Sequence, residues 1–189
     1  MADLHIEKVV VTGGRKFTDS ARIEADLRAL LPLGLRRLAH GGARGADLLA
    51  DNAARRVISR AKEPGHIEVY PALFRELGRG AGRLRNVEML ESERPDIVLA
   101  YPDPESRGTW HCVAEAWRRR IPVLVWVSWL TGGEATRFVQ RKVDERGVSL
   151  VRHRQGLLED LALFDRDGRR VIITGSEQFV DQLPEELDG

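Results

Sequence analysis

Cysteine is almost missing from this chain of 189 residues. Cys112 is the only one, so neither an internal disulfide nor a cysteine-built metal site can form. Long apolar runs are missing too. No stretch approaches the roughly 18 consecutive apolar residues of a membrane-spanning helix, and the opening MADLHIEK places charges where a secretory signal would carry its apolar segment. A cytoplasmic protein without membrane association is the expectation. Net charge is nearly absent as well. Lys and Arg number 30 against 29 Asp and Glu, leaving +1, so no overall field favours nucleic acid as a partner. Nor do basic and aromatic residues interleave into a platform for stacked bases. The histidines at 5, 40, 66, 111 and 153 lack metal-ligand spacing, so no metal and no cofactor is expected.

What is present is a regular alternation. Short β-branched runs at 8–12, 37–40, 67–70, 97–101 and 123–127 are apolar on both faces, as strands of a covered parallel sheet are. Between them lie amphipathic stretches. Asp19 or Ser20 can cap a helix through Ile23, Leu27, Leu30 and Leu31, which Pro32 and Gly34 end. Further helices are predicted over 45–61, from about 83 to 92, and over 108–119. This spacing of strands and helices predicts right-handed βαβ units in a Rossmann-like, doubly wound, mostly parallel α/β sheet. We assign residues 1–130 to that domain and 131–189 to a C-terminal extension packed on it. The extension should carry a helix over 135–145 stopped by Gly147, a strand at 149–151, and a β-hairpin over 161–174 turning at Asp165-Arg166-Asp167-Gly168.

In such a sheet, ligands sit beyond the carboxyl ends of the strands. Three glycine-bearing turns fall at that edge: Thr12-Gly13-Gly14-Arg15, His40-Gly41-Gly42-Ala43-Arg44-Gly45-Ala46-Asp47, and Gly108-Thr109. Glycine lets backbone approach a phosphate closely, and a helix N-terminus adds favourable partial charge. None of the turns has the lysine–Ser/Thr pair of a P-loop, and none completes the dinucleotide fingerprint. The stretch 75–85 carries Arg75, Arg79, Arg83 and Arg85 against Glu76 alone. Such a run commonly makes a solvated face, yet arginine's planar fork also suits phosphate.

The strings VVVTGGRKFTD, HGGARGAD, YPA, AGRLRNVEML, PDIVLAYP, GT and IPV, in this order between Val9 and Val123, resemble the YspA/YpsA-related family of the SLOG superfamily, which includes DprA-like and lonely-guy-type proteins. The resemblance implies a Rossmann-like fold holding a nucleotide or nucleotide-derived small molecule. Gly41, Gly42, Gly45, Ala46 and Asp47 match the family's GGAxGAD block, and Arg85-Asn86 match its RN. The candidate ligand residues are therefore Thr12, Gly13, Gly14, Arg15, Gly41, Gly42, Ala43, Gly45, Ala46, Asp47, Arg85, Asn86, Gly108 and Thr109. In lonely-guy-type enzymes an arginine and the glutamate of PGGxGTxxE form the catalytic pair. Here the segment reads PDPESRGTWHC, so two glycines are gone and Cys112 stands at the glutamate's place. Arg85 and Glu115, three residues further on, are the catalytic candidates if the chain is a hydrolase.

Three functions compete. One is a binding protein that senses or sequesters a nucleotide derivative without turnover. The second is an N-glycoside (phosphoribo)hydrolase acting on a nucleoside monophosphate or an ADP-ribose-like compound, whose oxocarbenium-like transition state calls for a nearby carboxylate. The third is a DprA-like DNA-processing module. Relatives in the superfamily imply a homodimer, for which the helix from Thr109 to Arg119, bearing Trp110 and Trp117, is the expected contact.

Overall fold

The computed structural model describes residues 5–59, 64–147 and 170–173. Five strands, β1 (Lys8–Gly13), β2 (Arg37–His40), β3 (His66–Val69), β4 (Ile97–Tyr101) and β5 (Val123–Trp126), pair in parallel in the order β3-β2-β1-β4-β5. A sixth, β6 (Arg170–Ile173), adds antiparallel to β5, with Val123 opposite Ile173. The chain is thus an α/β protein of Rossmann-like design with one antiparallel edge. β6 corresponds to the second strand expected of the C-terminal hairpin. The hairpin's first strand and turn, like the strand expected at 149–151, lie outside the described residues.

The unbroken Val9-Val10-Val11 run needs two apolar layers, because successive strand side chains point to opposite faces. Val9 and Val11 join Leu38, Leu99 and Tyr101 in one core. Helices α1 (Ser20–Leu30) and α2 (Ala46–Val57) cover it through Ile23, Leu27, Ala50 and Ala53. Val10 joins Ala39, Val98, Ala100 and Val125 in the other. There the cover comes from α4 (Ala81–Glu93), α5 (Arg107–Arg118) and α6 (Gly132–Asp144), through Met89, Val113 and Val139. A further single-turn helix, α3 (Phe74–Leu77), precedes α4. None of the described helices is long and apolar enough to cross a membrane.

Helix ends follow local chemistry. The Asp19 side chain accepts a hydrogen bond from the Arg22 amide at 2.9 Å, a standard N-cap. Asp19→Ala should lower stability by about 1 kcal/mol in urea denaturation, and an unchanged midpoint would remove the cap from the account. At its other end α1 tightens into a 3-10 turn holding Pro32 and stops at Gly34 in the left-handed region. α2 stops at Val57, earlier than its apolar periodicity predicts, and α4 begins two residues sooner than expected.

The helix expected to expose a dimer surface does not do so. Trp110, Cys112, Val113, Ala114 and Ala116 of α5 are buried. α5 lies on the sheet and α6 covers it, with Trp110 edge-on to Phe138. Its apolar face is therefore core.

Candidate functional site

The winding direction reverses between β1 and β4: from β1 the chain proceeds outward to β2 and β3, then crosses back to β4. A crevice opens at such a switch point beyond the carboxyl ends of the strands. Here that edge gathers the end of β1, the turn from β2 into α2, and the turn from β4 into α5.

The glycines of the first two turns let these turns pack on each other. A Cβ on Gly13 would collide with Ala46 and the Tyr101 carbonyl, and one on Gly45 with the Gly14 carbonyl. Gly45 also has a φ of +80°, which side chains rarely adopt. The Ala46 amide donates to the Gly14 carbonyl at 3.2 Å, tying α2 to β1. Two amides expected to face a ligand already have acceptors. Gly14 N–H donates to the Tyr101 carbonyl at 2.9 Å, and Gly42 N–H donates to His40 Nδ1 at 3.1 Å. With Nδ1 accepting, the imidazole proton belongs on Nε2, which reaches Asp51 Oδ1 at 3.2 Å. These two glycines shape the crevice without offering free donors to it.

Arg85 occupies the centre of the arrangement. Its Nη1 donates to the Tyr70 carbonyl at 2.9 Å and its Nε to Asn86 Oδ1 at 3.0 Å. The guanidinium lies where a Cβ on Gly41 would be. Gly41 is thus a seat for Arg85, a function invisible in the turn motif. Asn86, buried, donates from Nδ2 to the Gly108 carbonyl at 3.1 Å. This links α4 to the first turn of α5, where the space beside Gly108 is open. The Thr109 hydroxyl in that turn is buried and has no hydrogen-bond partner among the described residues. Arg15, by contrast, is exposed.

Asp47, also buried, lies in the first turn of α2. Its Oδ2 accepts from Ala43 N–H at 3.2 Å. Burial raises its carboxyl above the ordinary range, against the pull of the Arg85 charge and the loop amides. Cys112 stands near the same groups, but burial pushes its thiol up to about 12, outweighing Arg85 and the Thr12 hydroxyl. It is an inert core side chain, not a nucleophile.

Glu115 is not brought to this place. It pairs with Arg118 and Arg119 on its own helix, and Arg119 continues to Glu91 of α4 at 2.8 Å. Burial works against its ionisation, but the two arginines prevail and hold it below the usual carboxylate range. What takes Glu115 out of the arrangement is its commitment to the Arg118 and Arg119 guanidiniums one turn further along the chain.

One carboxylate at the edge escaped the motif reading. Asp103 follows β4, and its carboxylate fills the space a Gly14 side chain would need. It accepts from the amides of Lys16 and Glu105, each at 3.3 Å, and so clips the β1 turn to the β4 turn. Its signal in the sequence is the acid beside Pro102 in the PDPE segment, at the carboxyl end of β4.

Residues 7–59 match the family described as the YspA, cpYpsA-related SLOG family. The chain is 38% identical over 124 residues to the Gene 61 protein of Mycobacterium phage D29, a match that covers 63% of this chain and 95% of that protein. Among solved structures it is similar to UDP-N-acetylglucosamine 2-epimerase from Rickettsia bellii, at 18% identity and a TM-score of 0.41. That match covers 84% of this chain but spans only 42% of the epimerase.

Proposed function

This chain belongs to the YspA, cpYpsA-related SLOG family, and we propose that it binds a phosphate-bearing nucleotide or nucleotide-derived molecule beyond β1, β2 and β4, as a homodimeric cytoplasmic sensor or sequestering protein. Arg85 carries this reading. It is half-buried, its Nη1 and Nε are held by Tyr70 and Asn86, and its Nη2 has no acceptor among the described residues. A guanidinium fixed in advance loses little freedom when it takes an anion. Thr109 keeps a buried, unpartnered hydroxyl in the first turn of α5, where helix amides carry partial positive charge. Among the candidate glycines, Gly108 leaves open space in which a ligand can come close to backbone.

Native mass spectrometry of the purified protein, followed by calorimetric titration with adenosine monophosphate and with inorganic phosphate, tests the reading. A nucleotide-sized adduct or saturable heat with the monophosphate is expected. Neither an adduct nor heat with any nucleoside monophosphate would sink it.

A second reading, N-glycoside hydrolysis, draws on Asp47. This buried carboxylate lies within electrostatic reach of Arg85, while Glu115 is taken up by Arg118 and Arg119, and an oxocarbenium-like transition state needs such a charge. Release of free base from a nucleoside monophosphate by wild type, lost in Asp47→Asn and retained in Glu115→Ala, is the outcome this reading requires. Binding without release leaves the sensor.

A further inference from the structure

Among the described residues, the large apolar side chains left in solvent are Leu48, Val69, Leu73, Phe74, Leu77 and Leu84, which are 42–56% exposed. They are far apart in sequence, yet all fall at one corner of the molecule. Val69 ends β3, and Leu73, Phe74 and Leu77 follow it as the chain leaves the sheet. Leu48 and Leu84 stand in the first turns of α2 and α4, the helices that lead back from the carboxyl edge. Apolar surface gathered in this way marks an interaction site.

The corner adjoins the place where Arg85 is held. The guanidinium takes the space beside Gly41. One residue on, about 3.8 Å along the chain, a Cβ on Gly42 would stand 2.9 Å from a Val69 methyl. Tyr70, next after Val69, holds Arg85 Nη1 through its carbonyl. The Leu48 amide donates to the Ala43 carbonyl at 3.2 Å, which fixes Leu48 to the same loop. Phe74 Cζ lies 3.8 Å from where a Cβ on Gly82 would be, three residues before Arg85.

On the β1 side of that loop there is no room. Ala46 and Asp103 fill the places beside Gly13 and Gly14, and the Gly14-Arg15 backbone fills the place beside Gly45. The space open at Gly108 adjoins the first turn of α5, where a helix N-terminus suits an anion. A ligand whose anion sits on Arg85 therefore extends its other end toward Val69 and Phe74. The side chains there carry no donor and no acceptor. They can cover the face of a flat ring but cannot read its hydrogen-bonding edge.

We propose that this apolar lip takes the base of the nucleotide whose phosphate Arg85 holds, with Val69 and Phe74 against the ring face. The proposal rests on the nucleotide reading above and adds its selectivity: ring area counts, and exocyclic groups do not.

Calorimetric titration with adenosine monophosphate, inosine monophosphate and ribose 5-phosphate tests this. The two nucleotides should bind alike. Ribose 5-phosphate should bind roughly five- to a hundredfold more weakly, the range for stacking one base. Val69→Ser with Phe74→Ser should bring both nucleotides down to the ribose 5-phosphate value while that value holds, which shows fold and anion site intact. Phe74→Trp should keep nucleotide affinity. Ribose 5-phosphate binding wild type as tightly as the nucleotides would overturn the lip and leave the phosphate site standing. So would a wide gap between the two nucleotides, or a double variant that keeps nucleotide affinity or loses ribose 5-phosphate in parallel. Nucleotide affinity that falls as protein concentration rises would put a second copy on the lip instead of a base. No heat with any of the three would overturn the lip and the nucleotide reading together.

Discussion

Arg85→Ala should weaken binding of adenosine monophosphate ten- to a hundredfold in calorimetric titration, about 1.5–3 kcal/mol, the scale of a hydrogen bond to a charged group. The expectation follows from how the side chain is held. Tyr70 and Asn86 take two of its donors and fix the plane that presents the rest. Arg85→Lys should not rescue, because an ammonium on a flexible stem lacks the fork. Gly41→Ala provides an independent approach to the same contact. Its new methyl would displace the guanidinium, so it should reproduce the loss, and Gly41→Ala with Arg85→Ala together should be little worse than either alone. Equal affinity of wild type and Arg85→Ala would remove Arg85 from the site.

How far such a site could be read in advance depends on the kind of information it needs. Val9-Val10-Val11 and Ile97-Val98-Leu99 announced a sheet covered on both faces, because alternation of side chains makes a continuous apolar run stable only between two layers. Glycine at 13, 14, 41, 42 and 45 announced tight turns at one edge. It did not announce what the glycines make room for. Gly13 and Gly45 admit a neighbouring turn, Gly14 admits Asp103, and Gly41 admits Arg85, residues far away in the chain. Which acceptor an amide finds is likewise decided by tertiary approach. Gly42 N–H meets His40 only because the loop turns back at a φ of +68°. The same limit applied to α5, whose aromatic residues are spaced as an exposed interface or a core face would space them; only the position of α6 separates the two. Glu115 follows the matched motif on the same helix, but Arg118 and Arg119, its neighbours one turn on, take up its carboxylate.

Glu93→Ala should cost about 1.5–3 kcal/mol in urea denaturation, the scale of a hydrogen bond to a charged group, because Arg37 stays partly exposed and beside Glu68 when its partner is removed. That is a large share of a domain's total of roughly 5–15 kcal/mol. The Glu93 carboxylate is buried at the end of α4. It accepts from Arg37 Nε, from Arg37 Nη2 at 2.8 Å and from the Tyr70 hydroxyl at 2.7 Å. Burial opposes its ionisation, yet Arg37 and Tyr70 prevail and hold it below the ordinary carboxylate range. With a folded pKa below the unfolded one, its contribution is fully present above the unfolded value of about 4.3. It is lost as pH falls through the folded one. Wild type should therefore lose stability more steeply on acidification than Glu93→Gln, which keeps the shape and lacks the charge. The site should register the change too. Tyr70 donates its hydroxyl to Glu93 while its carbonyl holds Arg85, so loosening Tyr70 lets the guanidinium wander. Nucleotide affinity in Glu93→Gln should fall, by less than in Arg85→Ala, because the fork remains and only its orientation is relaxed. A stability loss under about 1 kcal/mol for Glu93→Ala, the range of an exposed pair, would show that Arg37 and Glu93 meet in solvent rather than in the core, and the link from α4 through Tyr70 to Arg85 would fall with it.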